Sequence, residues 1–540
     1  MSRRQRRAQQ RLPAADPRTG TAEPLPRAWL AAAVALSVLV YLSALGNPFV
    51  YDDFSSVVNN LSIRPPVSWR WLFTYVVFRP LVNLSYALDY SLWGQRPFGY
   101  HLTGLLLHAG NVALFFLLCW HAVGDLGRRS PLSVPRRWAA FVPAAIFAVH
   151  PMATQAVQYT AARSELLCAL FSLAGLLAFR QAALSEQRKT WWVAAYLALL
   201  LGLASKEVAG VMPVLALAYD RLVLARDGAR RRFWRLYLPP LLVMLVAAGV
   251  RLGVYFGKEA SGAVAAMAGN FLLQLVVLWH YLALLLLPVG QSLAHEFQEV
   301  HSLWNAGALL GLLATTLLLA AAWRVRKRWP LLTMGALWFL LVLVPSSSIV
   351  PLAEPMAEHR AYLASAGVFL ALLQGASWLA ARPLPLRAGI VATVLLALAV
   401  ATLARNRVWS SPILLWSEAT AHAPHTYAPH YALGDAYREK GDCVAAISEY
   451  RRASQLVPDE AGAWLNMGIC SAQIGDLSQA EQAFARALAL EPENASVHYD
   501  LGLVARLRGD GEVARRQFEE ALRLQPGHQQ ARQALGLSPP

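Results

Sequence analysis

The chain has 540 residues, 56% of them hydrophobic and only 15% charged; soluble domains run at roughly 45–50% and about 25%, so an ordinary soluble multidomain protein is excluded. The net charge of +16 would suit nucleic acid, but Lys and Arg stand in short clusters between apolar blocks of about 17–25 residues, a length that crosses a bilayer as helix, and that alternation sets membrane orientation. Four cysteines is a low count: Cys119 and Cys168 fall in apolar segments as buried thiols, whereas Cys443 and Cys470 could pair in an oxidising compartment, a connectivity that sequence does not fix.

Residues 1–27 are basic and rich in Arg, Pro and Ala, the composition of a disordered tail, and their seven arginines place it in the cytoplasm. The apolar run Trp29–Leu45 is long for a signal peptide and lacks a clean cleavage site after Tyr41, so it reads as the first membrane helix within a transmembrane domain over 28–404. It delivers Asn47–Gly99 to the outer face. His101–Val123 returns to Arg128, Arg129, Arg136 and Arg137; Trp138–Val149 runs out to His150–Arg163; Leu166–Phe179 returns to Arg180, Arg188 and Lys189. Trp191–Ala204 runs out to Ser205-Lys206-Glu207, a sixth helix returns to Arg226 and Arg230–Arg232, and Leu236–Phe256 runs out. A single crossing by Phe271–Leu287 would put the basic run Arg324–Arg328 outside, against the positive-inside rule. Lys258–His301 is therefore expected to dip in and return to the outer face, as an interfacial helix plus a re-entrant segment or as two crossings. Leu303–Trp323 then runs in, Leu332–Val344 out, Tyr362–Ala380 in to Arg382 and Arg387, and Ala388–Leu403 out. The predicted fold is all-α, a polytopic helix bundle of about 11 spans followed by a solenoid.

Past Arg405 the composition turns soluble and a 34-residue period links Gly434, Gly468 and Gly502; Gly441, Gly475 and Gly509, each followed by Asp; Ala446, Ala480 and Ala514; and Tyr450, Phe484 and Phe518. Ala453, Ala487 and Ala521, and Pro458, Pro492 and Pro526, keep the same step. Small residues let two helices approach, aromatics fill the gap between hairpins, and proline ends each unit. These are tetratricopeptide (TPR) repeats, predicted over 427–460, 461–494 and 495–528 of a domain 405–540. One step back gives Trp416, Ala419 and Pro424, a half-repeat leading out of the last membrane helix; Gln529–Leu537 is expected as the cap. Such an array presents a groove for an extended peptide or a helix, and none of the candidate catalytic groups lies within it.

A set of charged residues of the membrane domain that are not orientation signals falls on the predicted outer face: Asp52, Asp53, Arg79, His150, Arg163 with Glu165, Lys206 with Glu207, and Glu358-His359-Arg360. Charge near membrane depth is costly and so marks function. A carboxylate of Asp52 or Asp53 could accept a proton from a hydroxyl nucleophile, or the two could help hold a divalent metal; the competing reading is a solvated turn or helix cap. Arg79, Arg163, Lys206 and Arg360 could bind a phosphate, Arg as a bidentate fork and Lys as a point charge, or pair locally with Glu165, Glu207 or Glu358. His359 could bind phosphate or shuttle a proton, and His150 supports the set. His101 and His108 share one helix face and read as packing or polar contact. No metal-binding spacing, phosphate loop or nucleophile elbow occurs. Asn83-Leu-Ser85 and Asn494-Ala-Ser496 match the glycosylation pattern.

Eight runs in order, Phe49-Val-Tyr-Asp-Asp53, Phe78-Arg-Pro-Leu81, Tyr100-His101 with Leu107-His108, Phe147-Ala-Val-His-Pro151, Ala162-Arg-Ser-Glu-Leu-Leu167, Ala204-Ser-Lys-Glu207, Pro345-Ser-Ser-Ser-Ile-Val-Pro351 and Glu358-His-Arg-Ala-Tyr362, are followed by the repeats. From Asn47 onward the chain resembles the transmembrane and TPR-repeat-containing O-mannosyltransferases and their prokaryotic relatives, of the GT-C class of glycosyltransferases. It departs from the family pattern in carrying Glu165 where Asp is usual, His359, and a short array. The resemblance implies a polyprenyl- or dolichyl-phosphate sugar donor, mannose above all, a hydroxyl acceptor on a protein or peptide, an active site on the extracytoplasmic face (periplasm or lumen), and a first-loop acidic base at Asp52 or Asp53. Arg79, Arg163, Lys206 and Arg360 would then serve the donor phosphate, with His150, Glu165, Glu207, Glu358 and His359 in support and no certain cofactor. The rival classes are a non-catalytic TPR scaffold, which has no use for carboxylates and bases gathered on one face, and a lipid-linked sugar transporter, which would place polar groups at mid-membrane. The orientation is directly testable: a reporter fused after Gly536 should be active only outside the cytoplasm, and cytoplasmic activity would overturn the shared outer face.

Overall fold

The computed structural model describes residues 23–75, 79–127, 135–185, 188–258, 263–345, 352, 354–375 and 382–537, and among these the regular elements are all helical. The basic tail to residue 22, Phe78, Arg128, Arg129, 346–351 and 376–381 lie outside the described residues.

Among the described residues seven helices are long and apolar enough to cross a membrane: Arg27–Gly46, Pro97–Leu126, Thr160–Leu184, Arg230–Val250, Met267–Leu286, Ala306–Val325 and Leu384–Val408. Arg136–Val149 with Pro151–Gln158, bent by 55°, makes an eighth if the pair is one span. The chain is a membrane protein, and the expected count of about 11 is met by fewer full-length helices because the rest are short or broken. Lys189–Leu203 and Pro330–Leu343 are shorter apolar helices. The sixth expected span is Met212–Tyr219 widening into a π-turn at Asp220–Leu224. The 55° bend has a local cause: Pro151 brings no N–H to continue the helix, and His150 Nδ1 instead accepts the N–H of Met152 at 3.2 Å.

Pro97–Leu126 is the central helix, packed against Arg27–Tyr41, Arg136–Val149 and Arg163–Leu184, with Phe115, Phe116 and Phe147 fully buried between them. His108 on this helix meets the Tyr362 hydroxyl at 2.7 Å and the Ala148 carbonyl at 3.2 Å, a polar contact inside the core. Two arginines read as orientation signals are also structural. Arg180 pairs with Asp125 at 2.5 Å, and Arg232 with Asp220 at 2.9 Å, all four side chains buried or nearly so; removing one partner of such a pair costs about 3–5 kcal/mol.

The segment that breaks the charge alternation forms one helix, Ala263–Leu286, followed by an irregular return over 287–305. Gln274 Nε2 donates to the Pro355 carbonyl at 2.9 Å, the Tyr281 hydroxyl to Ala357 at 2.9 Å, and the Leu285 carbonyl meets His150 Nε2 at 3.1 Å. This helix therefore packs against the 354–358 loop and His150, and among the described residues no second helix forms between it and Ala306. Asn83, in the first glycosylation pattern, is buried and spends its amide nitrogen on Leu72 O (2.7 Å) and Ser62 Oγ (3.0 Å), out of reach of a glycan.

The C-terminal hairpins are Tyr427–Glu439 with Cys443–Leu456, Ala461–Gln473 with Leu477–Leu490, and Ala495–Arg508 with Gly511–Leu524, closed by Gln529–Ala534. Asp442 and Asp476 cap second helices by accepting from Ala445 (3.1 Å) and Gln479 (2.9 Å). All four cysteines are free and buried; the Cys443 thiol donates to Gln473 Oε1 at 2.8 Å, and no Cys443–Cys470 bond is formed. At Gly434, Gly468 and Gly502 a Cβ would stand 2.6, 2.6 and 2.5 Å from the rings of Tyr450, Phe484 and Phe518, so the aromatic period of the sequence is read out as ring-on-glycine contact. Gly468→Leu should destabilise the array by up to about 2 kcal/mol, overpacking of about 1–3 kcal/mol outweighing a helix-propensity gain of about 1 kcal/mol. An unchanged melting temperature would refute the contact.

Candidate active site

Between the first helix and the helix Pro80–Trp93 the chain makes an irregular loop, and its conformation is fixed from inside. Asp53 is fully buried; Oδ2 accepts the N–H of Val50 at 3.1 Å and Oδ1 that of Ala161 at 2.7 Å. One carboxylate thus ties the loop to itself and to the connection ahead of Arg163. Asn47 adds a second tie, its amide donating to Gln158 Oε1 at 2.7 Å. Tyr51 sits at φ +50°, the left-handed region that costs a bulky residue about 1–3 kcal/mol. It is held there by Tyr159 (stacked, centroids 6.3 Å apart), by Trp416 (edge-on, 5.3 Å) and by its hydroxyl donating to Glu354 Oε1 at 3.4 Å. The next residue, Asp52, is exposed, its N–H donating to the Tyr159 hydroxyl at 3.2 Å. The two neighbouring carboxylates therefore differ in kind: Asp53 is a structural acceptor and Asp52 a carboxylate open to the rim.

The basic residues divide in the same way. Arg163 is 1% exposed, pairs with Asp89 at 2.5 Å, donates to the Tyr100 carbonyl at 2.9 Å and lies 4.7 Å from the Tyr86 ring. Lys206 is buried on Glu165. Arg163 and Lys206 each stand on a buried carboxylate, the local pairing that was the alternative to a direct phosphate contact. Arg79 and Arg360 are half-buried and open. Arg79 stands 3.8 Å from Glu207, and Arg360 donates to the Glu354 carbonyl at 2.9 Å.

His359 lies among these cations. Its backbone N–H donates to Gln155 Oε1 at 2.7 Å, its ring is 6.2 Å from that of Tyr159, and its Nδ1 is buried without a partner. Burial, then Lys206, Arg360 and Arg79, hold its pKa well below the ordinary histidine value, so the ring is neutral. Glu358 turns away from the rim and accepts from Ser292 N (2.6 Å), His295 Nε2 (3.0 Å) and Gln291 Nε2 (3.2 Å). It holds the 287–300 return in place and has a structural role, as has His150.

The site thus brings together Asp52, Arg79, Glu207, His359 and Arg360, on scaffolding by Asp53, His150, Arg163, Glu165, Lys206 and Glu358. A divalent metal on the Asp pair does not fit, because both Asp53 oxygens are taken by N–H groups and Asp52 is left as a single ligand. Among the described residues no group of three or more His, Cys, Asp or Glu could hold a metal. Sequence reasoning missed Asp89, Tyr159, His295 and Glu354. Burial raises Glu354, Arg360 opposes this, and Asp52 reinforces it; the acid carries no motif.

Burial pushes Asp53 up from 3.8 to about 7, the Val50 and Ala161 N–H groups opposing it and the Asp52 charge adding to it. The folded loop therefore holds a proton that the unfolded chain has released, so Asp53 contributes stability that is full below pH 3.8 and is lost as pH rises through about 7. The melting-temperature gap between wild type and Asp53→Asn should shrink as pH rises from about 5 to about 8. A gap that widens would contradict the burial.

Residues 431–495 and 472–529 match the tetratricopeptide repeat family model. Over most of its length the chain is similar to the protein O-mannosyl-transferase F38B6.6 of Caenorhabditis elegans (26% identity, 79% of this chain and 62% of that protein). It is also similar to human protein O-mannosyl-transferase TMTC1 (25%, 80% and 55%) and mouse TMTC4 (26%, 79% and 66%). The chain spans between about half and two thirds of the length of these curated relatives. With its apolar helix bundle, its rim of charged loops and its repeats in that order, the chain is similar over about four fifths of its length to membrane proteins named protein O-mannosyl-transferase.

Proposed function

We propose that this chain is an inverting GT-C type mannosyltransferase that moves mannose from a polyprenyl-phosphate carrier to a Ser or Thr hydroxyl of a protein held by its TPR array, on the extracytoplasmic side of the membrane. The observation that carries the reading is the pairing of an exposed Asp52, on a loop pinned by buried Asp53, with half-open Arg79 and Arg360 around neutral His359.

In this scheme the Asp52 carboxylate takes the proton of the acceptor hydroxyl as its oxygen attacks the anomeric carbon. The bond from that carbon to the phosphate oxygen breaks, and its electron pair leaves with the lipid phosphate. A single displacement inverts the anomeric centre. Charge developing on the phosphate is met by Arg79 and Arg360 and by a hydrogen bond from His359, groups already in place before reaction. Lys206 and Arg163, each neutralised by its own carboxylate, act by holding the rim. A lipid phosphate leaves readily, so the scheme routes no step through a metal. A transporter reading is less well supported, because the open charged groups stand in loops at one rim.

Asp52→Asn should lower kcat on polyprenyl-phosphate mannose by about 100-fold or more, the usual worth of a general base, with an unchanged melting temperature because the side chain is exposed. Wild-type turnover in this variant would show that the base lies elsewhere.

A further inference from the structure

The last membrane helix, Leu384–Val408, hands the chain to the half-repeat helix Pro412–His422 with no free linker between them. Arg405 pairs with Glu418 across this joint, Asn406 donates to the Val40 carbonyl at 2.8 Å, and His425 meets Glu296 of the 287–305 return through its N–H (3.0 Å) and Nδ1 (3.1 Å). The half-repeat is thereby set against the rim. Leu415, Trp416 and, from the first full repeat, Leu433 bury themselves in one apolar cluster with Val50, Tyr159 and Trp409. Trp416 is 6% exposed and meets the Tyr51 ring edge-on, at 5.3 Å and 81°.

Tyr51 is the residue whose left-handed backbone turns the following carboxylate outward. A conformation of that cost persists only where the surroundings over-determine it. Of its three clamps, Tyr159 and Glu354 belong to the membrane domain and only Trp416 to the repeats. We propose that Trp416 is a positioning residue for the transfer reaction: the first helix of the TPR array holds Tyr51 in its left-handed turn and so aims Asp52. The repeat domain then completes the active site, in contrast to the sequence-based expectation that it takes no part in the chemistry. Trp416 packs on Tyr51 and the apolar cluster, so its loss should spare donor binding and strike turnover.

This inference rests on the reading of Asp52 as the base, and the test separates the two. Full-length protein in lipid nanodiscs is assayed with polyprenyl-phosphate mannose and a Ser/Thr-rich peptide, and hydrogen–deuterium exchange is followed across residues 47–63. Trp416→Ala should lower kcat by about tenfold or more, since a small misplacement of a catalytic group is costly, while donor KM stays within about twofold and exchange across 47–63 rises. Trp416→Phe keeps an edge-on ring and should return both readouts to near wild type. Should Trp416→Ala not fold, Trp416→Leu keeps apolar burial without an edge-on ring and should give the same kcat loss and raised exchange. Wild-type kcat in the alanine or leucine variant, or a loss confined to donor KM, would overturn the proposal. If the wild-type protein transfers nothing, the reading of Asp52 fails, and exchange alone decides the clamp: raised in Trp416→Ala it stands, unchanged it falls.

Discussion

Asp53 accepts one N–H from its own loop and one from the loop ahead of Arg163, and the geometry of the rim follows from that shared carboxylate. With both of its oxygens occupied, the adjacent pair of acids cannot act as a pair. Asp53 is drawn into the protein and Asp52 is left facing out. The turn between these fates is made at Tyr51, in a backbone region that aromatic residues rarely adopt. The strain is distributed over clamps from the membrane domain and from the repeats. A loop that had to present a carboxylate by its own propensities would be mobile; this one is held from beneath by hydrogen bonds and from the side by rings.

The charged residues show the same division of labour. At membrane depth an unpaired charge is expensive, and the buried cations Arg163 and Lys206 are each matched to a carboxylate, Asp89 and Glu165. Those pairs tie the elements beneath the rim together. Arg79 and Arg360 are left partly open to solvent. Neutral His359 between them adds a donor without adding charge. Burial thus sorts one set of basic residues into paired supports and groups open to solvent.

Much of this was legible in the sequence. The bundle and the solenoid followed from apolar length and from the 34-residue period, because both signals repeat along the chain and report packing directly. The rim residues were legible because charge in an apolar sequence stands out. Which of them were open was not legible, since pairing depends on partners far away in the chain. Asp89 reads as an unremarkable helix residue, and its meeting with Arg163 is a tertiary fact. Among the described residues fewer full-length spans stand than the apolar blocks implied, because a block such as Met212–Leu224, widened by a π-turn at Asp220–Leu224, has the composition of a span without its straight length. The part played by Trp416 was hidden for a different reason. Its place in the repeat register explained it fully, and nothing in a repeat pattern says that the first unit will lie on a neighbouring domain.

The central claim is that a lipid phosphate and a general base meet at this rim. A structure of the full chain with polyprenyl-phosphate mannose bound tests it most directly. The account predicts the donor phosphate within hydrogen-bond reach of Arg79 and Arg360, with the anomeric carbon facing Asp52. A donor seated away from both arginines, or with its sugar on the far side of the loop from Asp52, would contradict it.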